Sequence, residues 1–164
     1  MNLLDGVLPV YPQDYARVVE VWEASVRATH DFVKVSDIEI FRPLVWDSML
    51  SVDLACMRDA AGHVVGFIGT ANENVEMLFI HPDWRGLGVG RTLLKYAIEK
   101  RGATALDVNE QNDQALGFYL HIGFEVAGCS ELDTMGKPYP LLHMRLATAP
   151  IVHRYPPNEA GNKL

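Results

Sequence analysis

The chain has 164 residues, 49% hydrophobic and 21% charged, with 21 acidic against 14 basic residues and a formal net charge of −7. That length suits a single domain able to bury a core without staples. The acidic balance argues against nonspecific nucleic-acid binding, and no apolar run is long enough to span a membrane.

In chain order, Val7–Val10 reads as a short strand ended by Tyr11-Pro12. A helix is expected from about Pro12 to Arg27, with proline at its first position and Asp14 in its first turn. Tyr15, Val18, Val19, Trp22 and Val26 fall at helical spacing and form its buried stripe. A second helix is expected from about Ser36 or Asp37 to Met49, with Pro43 as a candidate break. Leu54–Arg58, Val64–Ala71 and Val75–Ile80 read as a three-strand meander, turning at Asp59–Gly62 and at Asn72–Asn74.

After the meander comes a glycine loop, Gly86, Gly88 and Gly90, and then a helix expected over Thr92–Lys100. Ala103–Val108 is the next strand and Asn112–His121 a short helix capped by Gly123. Phe124–Leu132 and Tyr139–Leu146 close the sheet around an Asp133–Pro138 turn. Periodicity ends near Ala147, so 1–147 reads as the domain and 148–164 as a flexible tail. The first residues lack the basic-then-apolar pattern of a signal peptide. Cys56 and Cys129 both sit in strand-like runs and read as buried, reduced thiols, so a cytoplasmic setting is expected.

The stretch from Leu78 to Arg91 carries the chemistry. Glycines let a backbone approach a ligand closely, and a helix start leaves N–H groups unpaired with partial positive charge. With Arg85 and Arg91 alongside, this is an anion cradle, suited to phosphate or pyrophosphate. It is not a P-loop, because Arg91-Thr92 rather than Lys-Ser or Lys-Thr follows Gly90. It also fails the dinucleotide fingerprint, because Arg91 stands where the last glycine belongs.

The pattern Arg85-x-x-Gly88-x-Gly90 resembles the coenzyme A loop of the GNAT acetyltransferases. Asn112, Ala115 and Tyr119, followed by Gly123-Phe124, resemble a second signature of the same family. The resemblance covers about Val7–Leu146. Ala28–Phe32, Val108–Asn112 and Gly136–Leu142 look like the small bacterial acetyltransferases of the YjaB type within it. The fold this implies is α/β: a mixed, mostly antiparallel central sheet that splays between strands four and five, with helices on both faces.

The activity the resemblance implies is transfer of an acetyl group from acetyl-CoA, as cosubstrate, to an amine by direct attack. Backbone groups of Leu78, Phe79 and Ile80 would hold the acetyl carbonyl and the pantetheine arm. N–H groups across Gly86, Leu87, Gly88, Val89, Gly90 and Arg91 would hold the pyrophosphate, and Asn112 would bind the arm through its amide. Tyr119 would protonate the departing thiolate. His30, Asp31 and Phe32 would line the acceptor pocket, or cap the helix end and pack.

The base is open between two carboxylates. Asp107, between Leu106 and Val108 in an apolar strand, reads as a buried carboxylate, which is costly without a partner or a task. Some family members carry a glutamate base there, whereas the YjaB-type pattern carries asparagine. Glu76 is the rival, and either acid fits a structural ion pair or the orienting of water.

His63, His81, His121, His143 and His153 show no metal-ligand spacing and read as ordinary surface or strand histidines, so no metal is expected. A noncatalytic acyl-CoA-binding or sensing domain of the same fold is the competing function. Partners implied are acetyl-CoA and an amine, with no nucleic acid and no membrane. The acceptor stays open, as does a homodimer through the closing strands.

Overall fold

The computed structural model describes residues 2–148. The tail expected after Ala147 therefore lies almost wholly outside the described residues. A seven-stranded sheet runs in the order β1 (Leu8–Pro9), β2 (Asp53–Arg58), β3 (Val64–Ala71), β4 (Asn74–Ile80), β5 (Ala105–Asn109), β7 (Leu141–Leu146), β6 (Phe124–Ser130). Neighbours are antiparallel except β4 and β5, which run parallel. The helices are α1 (Tyr15–Thr29), α2 (Val35–Met49), α3 (Val89–Arg101) and α4 (Asp113–Ile122).

Strand alternation divides the core in two. On one face Val18, Val21, Trp22 and Val26 of α1, with Ile38 and Met49 of α2, pack on Cys56, Val64, Phe67 and Met77. On the other, Leu93, Leu94 and Ala97 of α3 and Tyr119 of α4 pack on Ala55, Met57, Val65, Ile68, Leu106 and Val108. Arg58 fixes the start of α1 to β2: its guanidinium grips Asp14 at 2.7 and 3.0 Å.

The hairpin between β3 and β4 turns on Asn72 (φ 48°) and Glu73 (φ 66°). Two successive left-handed residues are what a tight two-residue hairpin requires. Just beyond it, the register between β3 and β4 slips after Gly69, leaving Glu76 as an extra residue on β4. Such a bulge bends its strand. The parallel pairing of β4 with β5 is then confined to Asn74↔Ala105 and Val75↔Leu106. From Glu76 onward the two strands part, which is the splay expected between strands four and five.

Several elements differ from expectation. Pro12–Asp14 is a 3₁₀ turn, and the α-helix starts only at Tyr15. Pro43 does not break α2. It stands exposed, so the carbonyl left without its N–H faces solvent. Packing on α1 and the Arg42–Glu23 hydrogen bonds at 2.8 and 2.9 Å hold the helix through that point. The helix after the glycine loop begins at Val89, three residues early, so Gly90 and Arg91 belong to its first turn. The closing strands are shorter than expected, ending at Ser130 and starting at Leu141. Cys56 is buried as expected, but Cys129 is exposed, because β6 is an edge strand with little packed over it.

Candidate active site

The parting of β4 and β5 opens a cleft of about 460 Å³. Its walls are β4 from Val75 to Ile80, the loop and first turn of α3, Asp107–Asn109 of β5, the start of α4, and the end of α1. The β5-facing edge of β4 beyond Val75 has no ladder partner, so backbone groups there are free to bind a guest.

The loop holds one end. His81 donates its N–H to Val65 O at 2.8 Å, and Pro82–Trp84 form a 3₁₀ turn. Gly86 and Gly88 then take φ of +73° and +83°, left-handed values that only glycine reaches cheaply. Gly88 is the N-cap of α3, and Thr92 N–H returns to Gly88 O at 2.9 Å. The N–H groups of Val89, Gly90 and Arg91 precede the first helical bond and have no acceptor inside the helix. Gly86, Gly88, Val89, Gly90, Arg91 and Arg85 all line the cleft, whereas the Leu87 side chain points away, 48% exposed. The Arg85 guanidinium reaches Gln114 Oε1 at 3.3 Å.

Asn112 caps α4, its Oδ1 accepting from Ala115 N–H at 3.2 Å. Its amide nitrogen therefore points the other way, 3.4 Å from His30 Nε2. That contact makes Nε2 an acceptor and places the His30 proton on Nδ1, which lies 2.7 Å from Thr29 Oγ1. The Thr29 hydroxyl passes its own proton to Ser25 O at 2.7 Å. Burial, helped by the positive charge of Arg85, pushes the His30 pKa down to about 4, so the ring is neutral near pH 7.

Tyr119 stands in the throat. Its ring is buried and fixed by edge contacts to Phe118 (5.3 Å) and Phe124 (6.0 Å). Burial raises its phenol pKa, so the hydroxyl stays protonated. It lines the cleft.

Both candidate bases reach the cleft. Glu76 is exposed and accepts from Asn74 Nδ2 at 2.9 Å. Asp107 is not the buried carboxylate expected: its side chain is 42% exposed. Leu106 and Val108 face the α3–α4 core, so strand alternation turns Asp107 to the opposite face. There its Oδ1 lies 2.6 Å from His143 Nδ1, and His143 Nε2 lies 2.7 Å from Ser130 Oγ.

Of the expected acceptor residues only His30 lines the cleft. Asp31 is exposed outside it, and Phe32 leans on His30 (5.3 Å) and Tyr139 (6.1 Å). Tyr139 in turn donates to buried Asp37 at 2.5 Å, and Lys137 Nζ reaches the same carboxylate at 3.1 Å. The two donors, tyrosine first, hold the Asp37 pKa below its usual value. This clasp ties the β6–β7 loop to α2 beside the cleft.

Sequence reading missed Ser25, Thr29, Trp84, Gln114 and Phe118, which also line the cleft. Phe118, three residues after Ala115, could have been found from the helical face already marked by Ala115 and Tyr119.

A model described as "Acetyltransferase (GNAT) domain" matches residues 53–126. Over 127 residues the chain is 41% identical to peptidyl-lysine N-acetyltransferase YjaB of Escherichia coli K12, covering 77% of this chain and 86% of the relative. The solution structure of apo YjaB from Escherichia coli matches with a TM-score of 0.81 at 37% identity, over 91% of this chain and 100% of that one. The PaiA N-acetyltransferase of Thermoplasma acidophilum, solved in complex with coenzyme A, shares the fold at a TM-score of 0.69 and 19% identity, over 90% of this chain and 100% of that one. With the loop, the splayed strands and the Asn112–Tyr119 helix in place, these likenesses converge: the chain belongs to the GNAT acetyltransferase family.

Proposed function

We propose that residues 1–147 form a domain that transfers the acetyl group of acetyl-CoA to the side-chain amine of a lysine in a protein or peptide. One observation carries this reading. The unpaired edge of β4, the free N–H groups of α3 and the Tyr119 hydroxyl all open on the same cleft.

The residues fit the cosubstrate. The left-handed Gly86 and Gly88 have no atom within 4 Å of where a Cβ would stand, so the loop leaves room for a bulky anion. The start of α3, with Arg85 and Arg91, supplies donors and charge for a pyrophosphate. Backbone groups of Leu78, Phe79 and Ile80 hold the thioester and the arm, and the second N–H of the Asn112 amide is left for the same arm. Holding the two reactants together supplies much of the rate, and a donor at the developing oxyanion supplies more.

A free lysine amine has a pKa of about 10.4, so roughly one in 2,500 is neutral at pH 7. Attack on the carbonyl makes its N–H acidic, and a carboxylate then suffices as acceptor. Asp107 takes that role, with Glu76 as the comparison. Collapse breaks the C–S bond, and Tyr119 donates its proton to the thiolate.

The acceptor class rests on the likeness to YjaB, a relative named for peptidyl-lysine. Free Cys56 and Cys129 support a reducing, cytoplasmic setting, and the open edge of β6 supports a homodimer through the closing strands. The acceptor is tested by comparing peptides with one lysine, peptides with only a free N-terminus, and small amines. The lysine peptide should give the highest kcat/KM; a preference for either other class contradicts the assignment.

A further inference from the structure

Three strands bring Ser130, His143 and Asp107 into one line. Asp107 and His143 sit directly opposite in the β5–β7 register. Ser130 lies diagonally from His143 on the neighbouring β6, beyond the slip in register at Val126/Gly128. Gly128 stands opposite His143, where a Cβ would make an ordinary contact with the ring, 3.6 Å from Cδ2. The two hydrogen bonds, 2.6 and 2.7 Å, are short and use both ring nitrogens. Among the three, only Asp107 lines the cleft.

The chemistry of the partners sets the direction. A carboxylate can only accept, so His143 Nδ1 carries the proton and donates to Oδ1. Ser130 then fixes the ring through Nε2. Among the described residues Oδ2 of Asp107 has no further hydrogen bond to turn it aside.

We propose that His143, braced by Ser130, is a positioning residue that aims the Asp107 carboxylate at the acceptor nitrogen. This rests on the reading of Asp107 as base. In the step, an N–H bond of the attacking amine breaks as O–H forms at Asp107 Oδ2. The nitrogen lone pair forms the C–N bond and the N–H pair stays on nitrogen. The C–S bond breaks with its pair on sulfur, which takes the Tyr119 proton, and Asp107, part exposed, gives its proton to solvent. The arrangement reverses the usual serine–histidine–aspartate order, because the acid rather than the serine faces the substrate.

A double-mutant cycle tests it. His143→Ala should lower kcat/KM for a lysine peptide by roughly 10- to 100-fold, below the 10²- to 10⁴-fold of a general base itself. The KM for acetyl-CoA should not move. His143→Asn, which keeps an N–H donor near the Nδ1 position, should recover most of the loss. In an Asp107→Asn background, His143→Ala should cost nothing further. An equal loss in both backgrounds, with a lowered melting temperature, assigns His143 to structure and overturns the proposal. A large effect of Asp107→Asn with none of His143→Ala overturns it while leaving the base in place. A mild Asp107→Asn overturns both together, and transfer by the wild-type protein still reports separately on the acetyltransferase reading.

Discussion

A Cβ on Gly66 would stand 2.8 Å from Val89 Cγ1. Gly66 lies on β3 and Val89 is the first residue of α3, so the absent side chain lets the helix start sit directly on the sheet. That seat aims the free N–H groups of α3 at the cleft. Gly66→Ala forces a methyl against Val89 and Ile80, and overpacking of this kind costs about 1–3 kcal/mol. A lowered urea midpoint and weaker acetyl-CoA binding by calorimetry are expected together; an unchanged midpoint contradicts the packing argument.

The loop glycines separate by mechanism. Gly88 holds φ +83°, so Gly88→Ala should cost stability by about 1–2 kcal/mol as well as weaken coenzyme binding. Gly90 is helical, and a Cβ there meets Phe118 at an ordinary 3.5 Å. Gly90→Ala should leave the melting temperature of the free protein intact, and Gly90→Val should lose coenzyme affinity through its bulk in the cradle. Calorimetry showing wild-type affinity in Gly88→Ala and Gly90→Val alike would falsify the cradle.

Much of this was legible because it is local. Leu78–Ile80 into Arg85-x-x-Gly88-x-Gly90 is strand, turn and helix start within one short stretch, and Asn112 to Tyr119 shares one helix face. The exposure of Asp107 was not legible. Apolar neighbours suggested burial, but they face one layer and Asp107 faces the other, where α1 and α2 cover mainly β2–β4. His143 and Ser130 were illegible for a related reason: their meeting depends on the register of three strands and a bulge at Val126/Gly128. Phe32 was placed in the pocket as part of the loop after the first helix, whereas its ring lies outside the cleft lining, packed between His30 and Tyr139.

Burial raises the Tyr119 pKa, so its hydroxyl stays protonated, as the proposed proton donor requires. Tyr119→Phe keeps the ring contacts to Phe118 and Phe124. A fall in kcat of about 10- to 1,000-fold is expected, with acetyl-CoA affinity little changed. An unaltered kcat, measured where chemistry limits the rate, assigns Tyr119 to packing.

His30 makes stability depend on pH. Its pKa is about 4 folded against 6.5 for the ordinary ring, so between those values the unfolded chain binds a proton that the folded one does not. Stability is therefore full above pH 6.5 and falls as pH drops toward 4. Asp14 and Asp37, held below the ordinary 3.8, add their own losses only at lower pH. Urea midpoints at pH 7 and pH 5 should differ in the wild type and differ less in His30→Gln. Equal slopes in the two proteins contradict the buried, neutral imidazole.

The central claim is that the cleft transfers acetyl groups rather than merely binding their carrier. The direct measurement incubates the protein with acetyl-CoA and a peptide bearing one lysine and a blocked N-terminus. Thiol release and the mass of the peptide are followed together. The account predicts one acetyl group gained per thiol released, abolished when arginine replaces the lysine. Tight acetyl-CoA binding with no thiol release, for this peptide and for other amines between pH 7 and 9, contradicts it and leaves a binding domain in its place.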